Sequence, residues 1–89
     1  MRGGKKVKYS NVLFIYKKND QKQARLGLAV SRKYGGAIDR NYFKRVAKEV
    51  FRRHPMKHLS IDILLIPVGE VSQNLHDLFD EGFQKVMKV

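Results

Sequence analysis

Residues Arg25–Arg53 read RLGLAVSRKYGGAIDRNYFKRVAKEVFRR, and the spacing of apolar residues changes once within them, at a pair of glycines. Before the glycines, large apolar residues alternate with small ones, a period of two that predicts a β-strand over Arg25–Ser31. After them, apolar residues recur at steps of three and four, which predicts a helix that starts at Asp39, as its N-cap, and runs to about Arg53. This stretch therefore predicts a strand followed by an amphipathic helix.

The segments on either side complete a small α+β domain. Val12–Tyr16 (VLFIY) predicts a first strand within Ser10–Lys17, and we expect it to pair with the strand over Arg25–Ser31 as a hairpin. Pro55 ends the helix, and Ile61–Pro67 is apolar on both faces, which is typical of a buried central strand. A last helix begins at Ser72.

The predicted element order is β-β-α-β-α, a small sheet packed with helices. At 89 residues the chain makes one domain, which we assign to residues 10–89. Residues 1–9 are basic and contain glycines, and we expect them to form a flexible arm.

Charge is distributed unevenly along the chain. The net charge is +11, with 17 basic and 3 acidic residues up to Lys57, against 2 basic and 5 acidic residues from His58 onward. Such an excess favours a polyanion as the partner, because each Lys or Arg that meets a phosphate releases condensed counterions. No stretch approaches the about 18 apolar residues of a membrane span, so we expect a soluble, cytoplasmic protein without a membrane partner.

The predicted central helix carries the RNA-binding hypothesis. Arg40, Lys44, Lys48 and Arg52 recur every four residues, so they follow one another at about 6 Å along the helix axis and can meet successive phosphates. The alternative is an ordinary solvated helix face. The candidate RNA-binding residues, which include the turn before the helix, are Arg32, Lys33, Arg40, Asn41, Tyr42, Lys44, Arg45, Lys48 and Arg52.

Catalysis by this chain itself is poorly supported by its residue types. It contains no cysteine, and Pro55 separates His54 from His58, which excludes the helical spacing that would suit a shared metal. We therefore predict no catalytic residue, no metal site and no cofactor bound by the protein alone. Phe14 and Tyr16 could stack unpaired bases from the first strand, or they could simply belong to the core.

The same stretch closely resembles the signature of the bacterial ribonuclease P protein. The matching residues are Val30-Ser31-Arg32-Lys33, Gly35 to Ala37, Arg40-Asn41-Tyr42, Lys44-Arg45 and Lys48-Glu49-Val50-Phe51-Arg52, and Asp62-Ile63-Leu64 resembles the strand that follows. The resemblance implies a non-catalytic protein subunit that docks on a catalytic RNA. With magnesium, that RNA cleaves precursor tRNA at its 5′ end. The resemblance also implies a cleft for the 5′ leader, with Phe14, Tyr16 and Ser31 as candidate contacts. It further implies a left-handed β-α-β crossover.

Two departures from the family pattern qualify these expectations. Tyr42 stands where the third motif residue is usually Arg, so one phosphate contact loses its charge. Members of the family usually begin with a further helix and strand before the first strand predicted here, and we expect the chain to lack that start through an N-terminal truncation. The surface exposed in this way would favour self-association. A structural RNA-binding protein, such as a ribosomal protein, is the main alternative function, and a small protein-only nuclease is a second.

Overall fold

The computed structural model describes residues 4–71 and 74–88. One sheet with the strand order β1-β2-β4-β3 is packed with two helices, which confirms the α+β class. The elements in chain order are β1 (Lys5–Tyr9), β2 (Val12–Lys18), β3 (Arg25–Leu28), α1 (Ala37–Arg53), a 3-10 turn (Pro55–His58), β4 (Ile61–Pro67) and α2 (Leu75–Met87).

Strand β1 corrects the prediction of a flexible arm over residues 1–9. Lys5–Tyr9 pairs antiparallel with β2 through a two-residue turn, and Tyr9 lies opposite Val12. Ser10 and Asn11 occupy this turn with φ of 48° and 62°, the left-handed geometry that matches the twist of a tight hairpin. Val7 and Tyr9 alternate with lysines, a period of two that indicates a strand. The sequence prediction gave more weight to the lysine-rich composition of this segment. Residues 1–3 lie outside the described part of the chain.

Strand β4 lies between β2 and β3, which the sequence predicted to pair directly as a hairpin. Those two strands do not pair with each other, because β4 lies between them, antiparallel to β2 and parallel to β3. The prediction that Ile61–Pro67 is a central strand is confirmed, and the predicted hairpin of β2 with β3 is wrong. The chain returns from β3 to β4 through α1 and the 3-10 turn, which is the β-α-β connection that the resemblance implies; its left-handedness stays a prediction.

Both helices lie on one face of the sheet, where the core forms. Residues that alternate along β2 and β4 turn toward the helices, while α1 supplies one side of the core and α2 another. The fully buried larger side chains are Val12, Phe14, Phe43, Val46, Met56, Ile63, Leu65, Leu78, Phe79 and Phe83. Phe43, Phe79 and Phe83 pack ring against ring at centroid distances of 5.0 Å and 6.4 Å along this core.

The helix ends differ from the predicted ones in detail. Helix α1 begins at Ala37 after Gly36, which is the N-cap without a side-chain hydrogen bond, so the prediction of Asp39 as N-cap is wrong. Asp39 lies in the first turn instead, where a negative charge is still favoured by the helix dipole. The last helix begins at Leu75 behind the N-cap Asn74; the predicted start at Ser72 lies outside the described residues.

Candidate nucleic-acid interface

One side of helix α1 is buried in the core, and the other side faces the solvent. Phe43, Val46 and Ala47 are buried against the sheet and α2. Basic side chains occupy most of the remaining circumference, and only Asp39 and Glu49 are acidic. We call this surface the basic face of α1, formed by Arg40, Asn41, Lys44, Arg45, Lys48 and Arg52. The structure thus brings six of the predicted RNA-binding residues onto one continuous surface.

The turn before α1 extends this surface toward the start of the helix. Arg32 and Lys33 are exposed just before Gly36, and the backbone N–H of Tyr34 donates to the carbonyl of Ser31 at 3.1 Å, which closes the turn. No side chain caps the helix, so the amides of its first turn remain available to an anion. The two cations of the turn therefore lie at the end of α1 that favours phosphate.

Arg40 and Arg45 are held differently on the basic face. The Nε atom of Arg40 is buried and has no hydrogen-bond partner among the described residues. A buried donor without an acceptor is costly, so an incoming acceptor at Arg40 would gain free energy that a solvated arginine does not offer. The guanidinium of Arg45 lies 5.2 Å from the centroid of the Tyr42 ring, so Tyr42 orients a cation although it carries no charge itself.

The three candidate leader contacts do not form one site. Phe14 is fully buried under α2, with its ring 5.7 Å from that of Phe83, so its prediction as an RNA contact is wrong. Tyr16 is half-buried beside the end of α2, in a cavity of about 300 Å³. Ser31 lines another cavity at the opposite end of β4. Strand alternation explains the error, because Phe14 and Tyr16 share the side of β2 that faces the helices.

The other side of the sheet was missed by sequence reasoning. Leu13 pairs with Ile66 and Ile15 pairs with Leu64, and none of the four belongs to the core cluster. Leu13, Leu64 and Ile66 are partly exposed, whereas Ile15 is buried at 6% exposure. In residues 4–71 and 74–88 no helix covers this side. Basic side chains of the neighbouring positions border it, namely Lys6, Lys8, Lys17 and Arg25. We call this apolar strip with its basic border the open sheet face.

A polar network fixes one end of the open sheet face. Arg25 donates from Nε and Nη2 to the two carboxylate oxygens of Asp62, both at 2.7 Å, and Asn19 adds a hydrogen bond of 2.9 Å to the same carboxylate. The hydrogen bonds from Arg25 and Asn19 lower the pKa of Asp62 from 3.8 to about 2. The network joins β3, β4 and the turn after β2, and it pairs the carboxylate of Asp62 with a cation.

Two of the three histidines of the chain, His54 and His76, have structural partners in the described residues. His54 is buried, accepts a hydrogen bond from the backbone N–H of Met56 at 3.1 Å, and lies 3.7 Å from Asp80. His76 lies 3.6 Å from Glu49 and links α2 to α1. Within residues 4–71 and 74–88, no three His, Cys, Asp or Glu side chains come together as a metal site. No helix of the described chain is long and apolar enough to cross a membrane.

Comparisons with known proteins agree with this architecture. The sequence model of the ribonuclease P family matches residues 1–89. The ribonuclease P protein component of Staphylococcus epidermidis is 42% identical over 55 residues, 62% of this chain and 48% of that protein. The corresponding protein of Dictyoglomus thermophilum is 33% identical over 97% of this chain and 68% of its own length. The matched region thus spans about half of the first of these relatives.

Two solved structures share the fold. The RNase P protein from Thermotoga maritima superposes with a TM-score of 0.82 at 26% identity, covering 99% of this chain and 86% of that one. The RNase P protein of Staphylococcus aureus gives a TM-score of 0.79 at 29% identity, with 97% and 83% covered. The family match over the whole sequence and the shared fold lead to one conclusion: this chain belongs to the ribonuclease P protein family.

Proposed function

We propose that the chain is the protein subunit of ribonuclease P, which binds the catalytic RNA and the 5′ leader of precursor tRNA and thereby assists 5′ maturation of tRNA in the cytoplasm. The observation that carries the proposal is the basic face of α1, which is exposed along a helix whose other side is locked into the core. A rigid helix presents its cations at fixed spacing, so they can match phosphates of a folded RNA without further ordering of the backbone.

The protein's part in the reaction is binding and orientation. His54 and His76 are engaged in packing and in contacts with carboxylates, His58 is exposed, and the described carboxylates do not converge. We assign the chemistry to the RNA subunit, with magnesium bound there as the ion that activates phosphodiester cleavage. What this chain supplies is positive charge on α1, which holds the RNA, and a second surface for the substrate.

We assign the leader of precursor tRNA to the open sheet face. Leu13, Leu64 and Ile66 are partly exposed and provide an apolar strip for bases and sugars, and the bordering lysines provide partners for phosphates. The same strip could take a second copy of the chain. That copy would bring its own lysines against Lys6, Lys8 and Lys17, and such like-charge contacts favour the polyanion over self-association.

A reconstitution experiment tests the proposal. The chain is mixed with a bacterial ribonuclease P RNA and a precursor tRNA at low magnesium, and each component is omitted in turn. We expect the RNA alone to cleave slowly, the protein alone to be inactive, and the mixture to cleave faster with tighter binding of precursor than of mature tRNA. Cleavage by the protein alone would support a nuclease instead. Binding of the RNA without any stimulation of cleavage would support a structural RNA-binding protein.

A further inference from the structure

Three side chains of α1 form an exposed ledge on its outer side. Ile38, Tyr42 and Arg45 follow one another at steps of four and three, so they lie along one ridge of the helix. Ile38 is 85% exposed and Tyr42 is 43% exposed. Together with Asn41 they line a shallow cavity of about 330 Å³, and we call these four residues the α1 ledge.

Folding of the described chain does not account for the α1 ledge. Ile38 and Tyr42 contribute nothing to the buried cluster, although an exposed isoleucine and an exposed tyrosine one helical turn apart are unfavourable in water. Arg45 is also engaged, with its guanidinium 5.2 Å from the centroid of the Tyr42 ring. The ledge therefore offers an aliphatic side chain, an aromatic ring and a planar cation, with no carboxylate among its four residues.

That combination matches one ligand chemistry. An unpaired nucleobase is a flat, partly apolar ring with hydrogen-bonding edges, and it stacks on Tyr and on the guanidinium plane of Arg. Asn41 places an amide beside the stacking surface, where it can pair with a base edge. Duplex RNA keeps its bases within the helical stack and offers this ledge only phosphates and sugars, for which Ile38 and Tyr42 are poor partners.

We propose that the α1 ledge binds one unpaired base of the ribonuclease P RNA, stacked against Tyr42, Arg45 and Ile38, while the cations beside it hold neighbouring phosphates. This inference rests on the proposed function. Tyr42 stands where the family pattern usually has an arginine. The inference assigns to it a stacking contact with a base in place of an arginine's charged contact with a phosphate. Recognition at this place then depends on an unpaired nucleotide and not on phosphate density alone.

The test separates stacking from charge by measuring the dissociation constant of the RNA over a range of salt concentrations. We expect Tyr42→Ala to weaken binding by about 5- to 150-fold with an unchanged salt slope, because the lost contact releases no counterion. Tyr42→Phe keeps the ring and should bind within about twofold of the original chain, and Ile38→Ala should weaken binding several-fold. Val68→Ala removes another exposed aliphatic side chain, 51% exposed and outside the ledge, and should change nothing.

Two further measurements identify the ligand. A fully paired, blunt-ended RNA duplex should bind the original chain and Tyr42→Ala equally. Chemical probing of the ribonuclease P RNA should reveal a base that the original chain protects and that Tyr42→Ala and Ile38→Ala leave reactive. The inference would be overturned, and the proposed function left standing, if Tyr42→Ala lost as much affinity for the paired duplex as for the ribonuclease P RNA. A reduced salt slope for Tyr42→Ala, or full affinity of both variants for the ribonuclease P RNA, would overturn it as well. Failure of the original chain to bind the RNA would overturn both.

Discussion

At the scale of single residues, the contact of Gly82 with Phe14 sets the distance between α2 and the sheet. Phe14 is fully buried, and a Cβ atom built on Gly82 would lie 2.1 Å from Cζ of the Phe14 ring. The ring is enclosed by Phe83 and the rest of the core, so it has little room to turn away. The glycine is therefore required by close approach, despite its unfavourable propensity within a helix.

Gly82→Ala is expected to lower the free energy of unfolding by about 1–3 kcal/mol, because the added methyl group forces Phe14 or α2 to shift. Urea denaturation followed by circular dichroism measures the change. Gln84→Ala, at an exposed position of the same helix, is the control and should stay within about 0.5 kcal/mol of the original chain. A more stable Gly82→Ala variant would show that helix propensity outweighs the close contact.

His54 makes stability depend on pH. Desolvation by burial lowers its pKa, and nearby Asp80 only partly opposes this shift. The unfolded chain therefore takes up the proton more readily, so the stabilising effect of neutral His54 is complete above about pH 6.5 and declines as the pH falls from there toward the lower folded-state pKa.

His54→Asn retains an acceptor for the N–H of Met56 and removes the titration. We expect this variant to be less stable at pH 7.5 and to lose less of its remaining stability between pH 7.5 and pH 5.5 than the original chain. Urea midpoints measured across this range provide the comparison, and His58→Asn, at an exposed site, is the control. The same pH dependence in His54→Asn and the original chain would assign the effect to other groups.

At the scale of secondary-structure elements, the two helices have different roles. Helix α2 supplies Leu75, Leu78, Phe79, Phe83 and Val86 to the core, so it mainly holds the fold together. Helix α1 buries a narrower strip and keeps most of its surface for cations. Stability and RNA binding should therefore respond to changes in different helices.

Asn74 is the cap on which the start of α2 depends. Its side-chain oxygen accepts from the N–H groups of His76 and Asp77 at 2.9 Å and 3.3 Å. Asn74→Ala should lower the free energy of unfolding by about 0.5–2 kcal/mol, whereas Asn74→Asp should retain most of it, because the carboxylate accepts the same hydrogen bonds. Thermal unfolding distinguishes the two variants; equal melting temperatures would show that the cap is not needed.

Lys48 belongs to the basic face of α1 but not to the α1 ledge, so its substitution tests the contribution of charge alone. Lys48→Ala should weaken binding to the ribonuclease P RNA and lower the salt slope by about 0.7–0.9, the value for one lost phosphate contact. Lys22→Ala removes an equal charge from the exposed turn between β2 and β3 and should leave the slope unchanged. Equal losses in the two variants would indicate that net charge, and not the position on α1, governs binding.

At the scale of the whole molecule, the sheet separates the two surfaces to which we assign RNA. Helix α1 lies on one side with its basic face outward, and the open sheet face lies on the other. Under the proposed function, α1 contacts the catalytic RNA while the leader lies on the open sheet face. The Arg25–Asp62 pair stabilises the border of the open sheet face, and Gly27 allows Leu64 to lie close to β3.

Leu64→Thr tests this division of roles. Threonine suits a strand but shortens the apolar strip, so the holoenzyme should bind precursor tRNA several-fold more weakly and mature tRNA with unchanged affinity. Affinity for the RNA subunit should not change. Weaker binding of both tRNAs would place the leader elsewhere, and the urea midpoint of the variant shows whether the fold is retained.

Residue periodicity by itself predicted a large part of this protein. The apolar repeat and the four-residue spacing of cations predicted α1 and its basic face, because helical geometry is local and follows from spacing along the chain. Apolar content on both faces likewise predicted that Ile61–Pro67 is central. Strand β1 was missed because its alternating pattern consists largely of lysines, which are uncommon in strands.

Only the tertiary structure decided which strands pair and which side of the sheet stays open. Strand β4 displaced the predicted hairpin because pairing depends on contacts between segments far apart in sequence. A period of two shows that Phe14 and Ile15 point to opposite sides, but it does not show which side the helices cover. Burial under α2 placed Phe14 in the core, so an aromatic residue considered as an RNA contact proved structural. Ile15, which points to the open sheet face, is nearly buried as well, at 6% exposure.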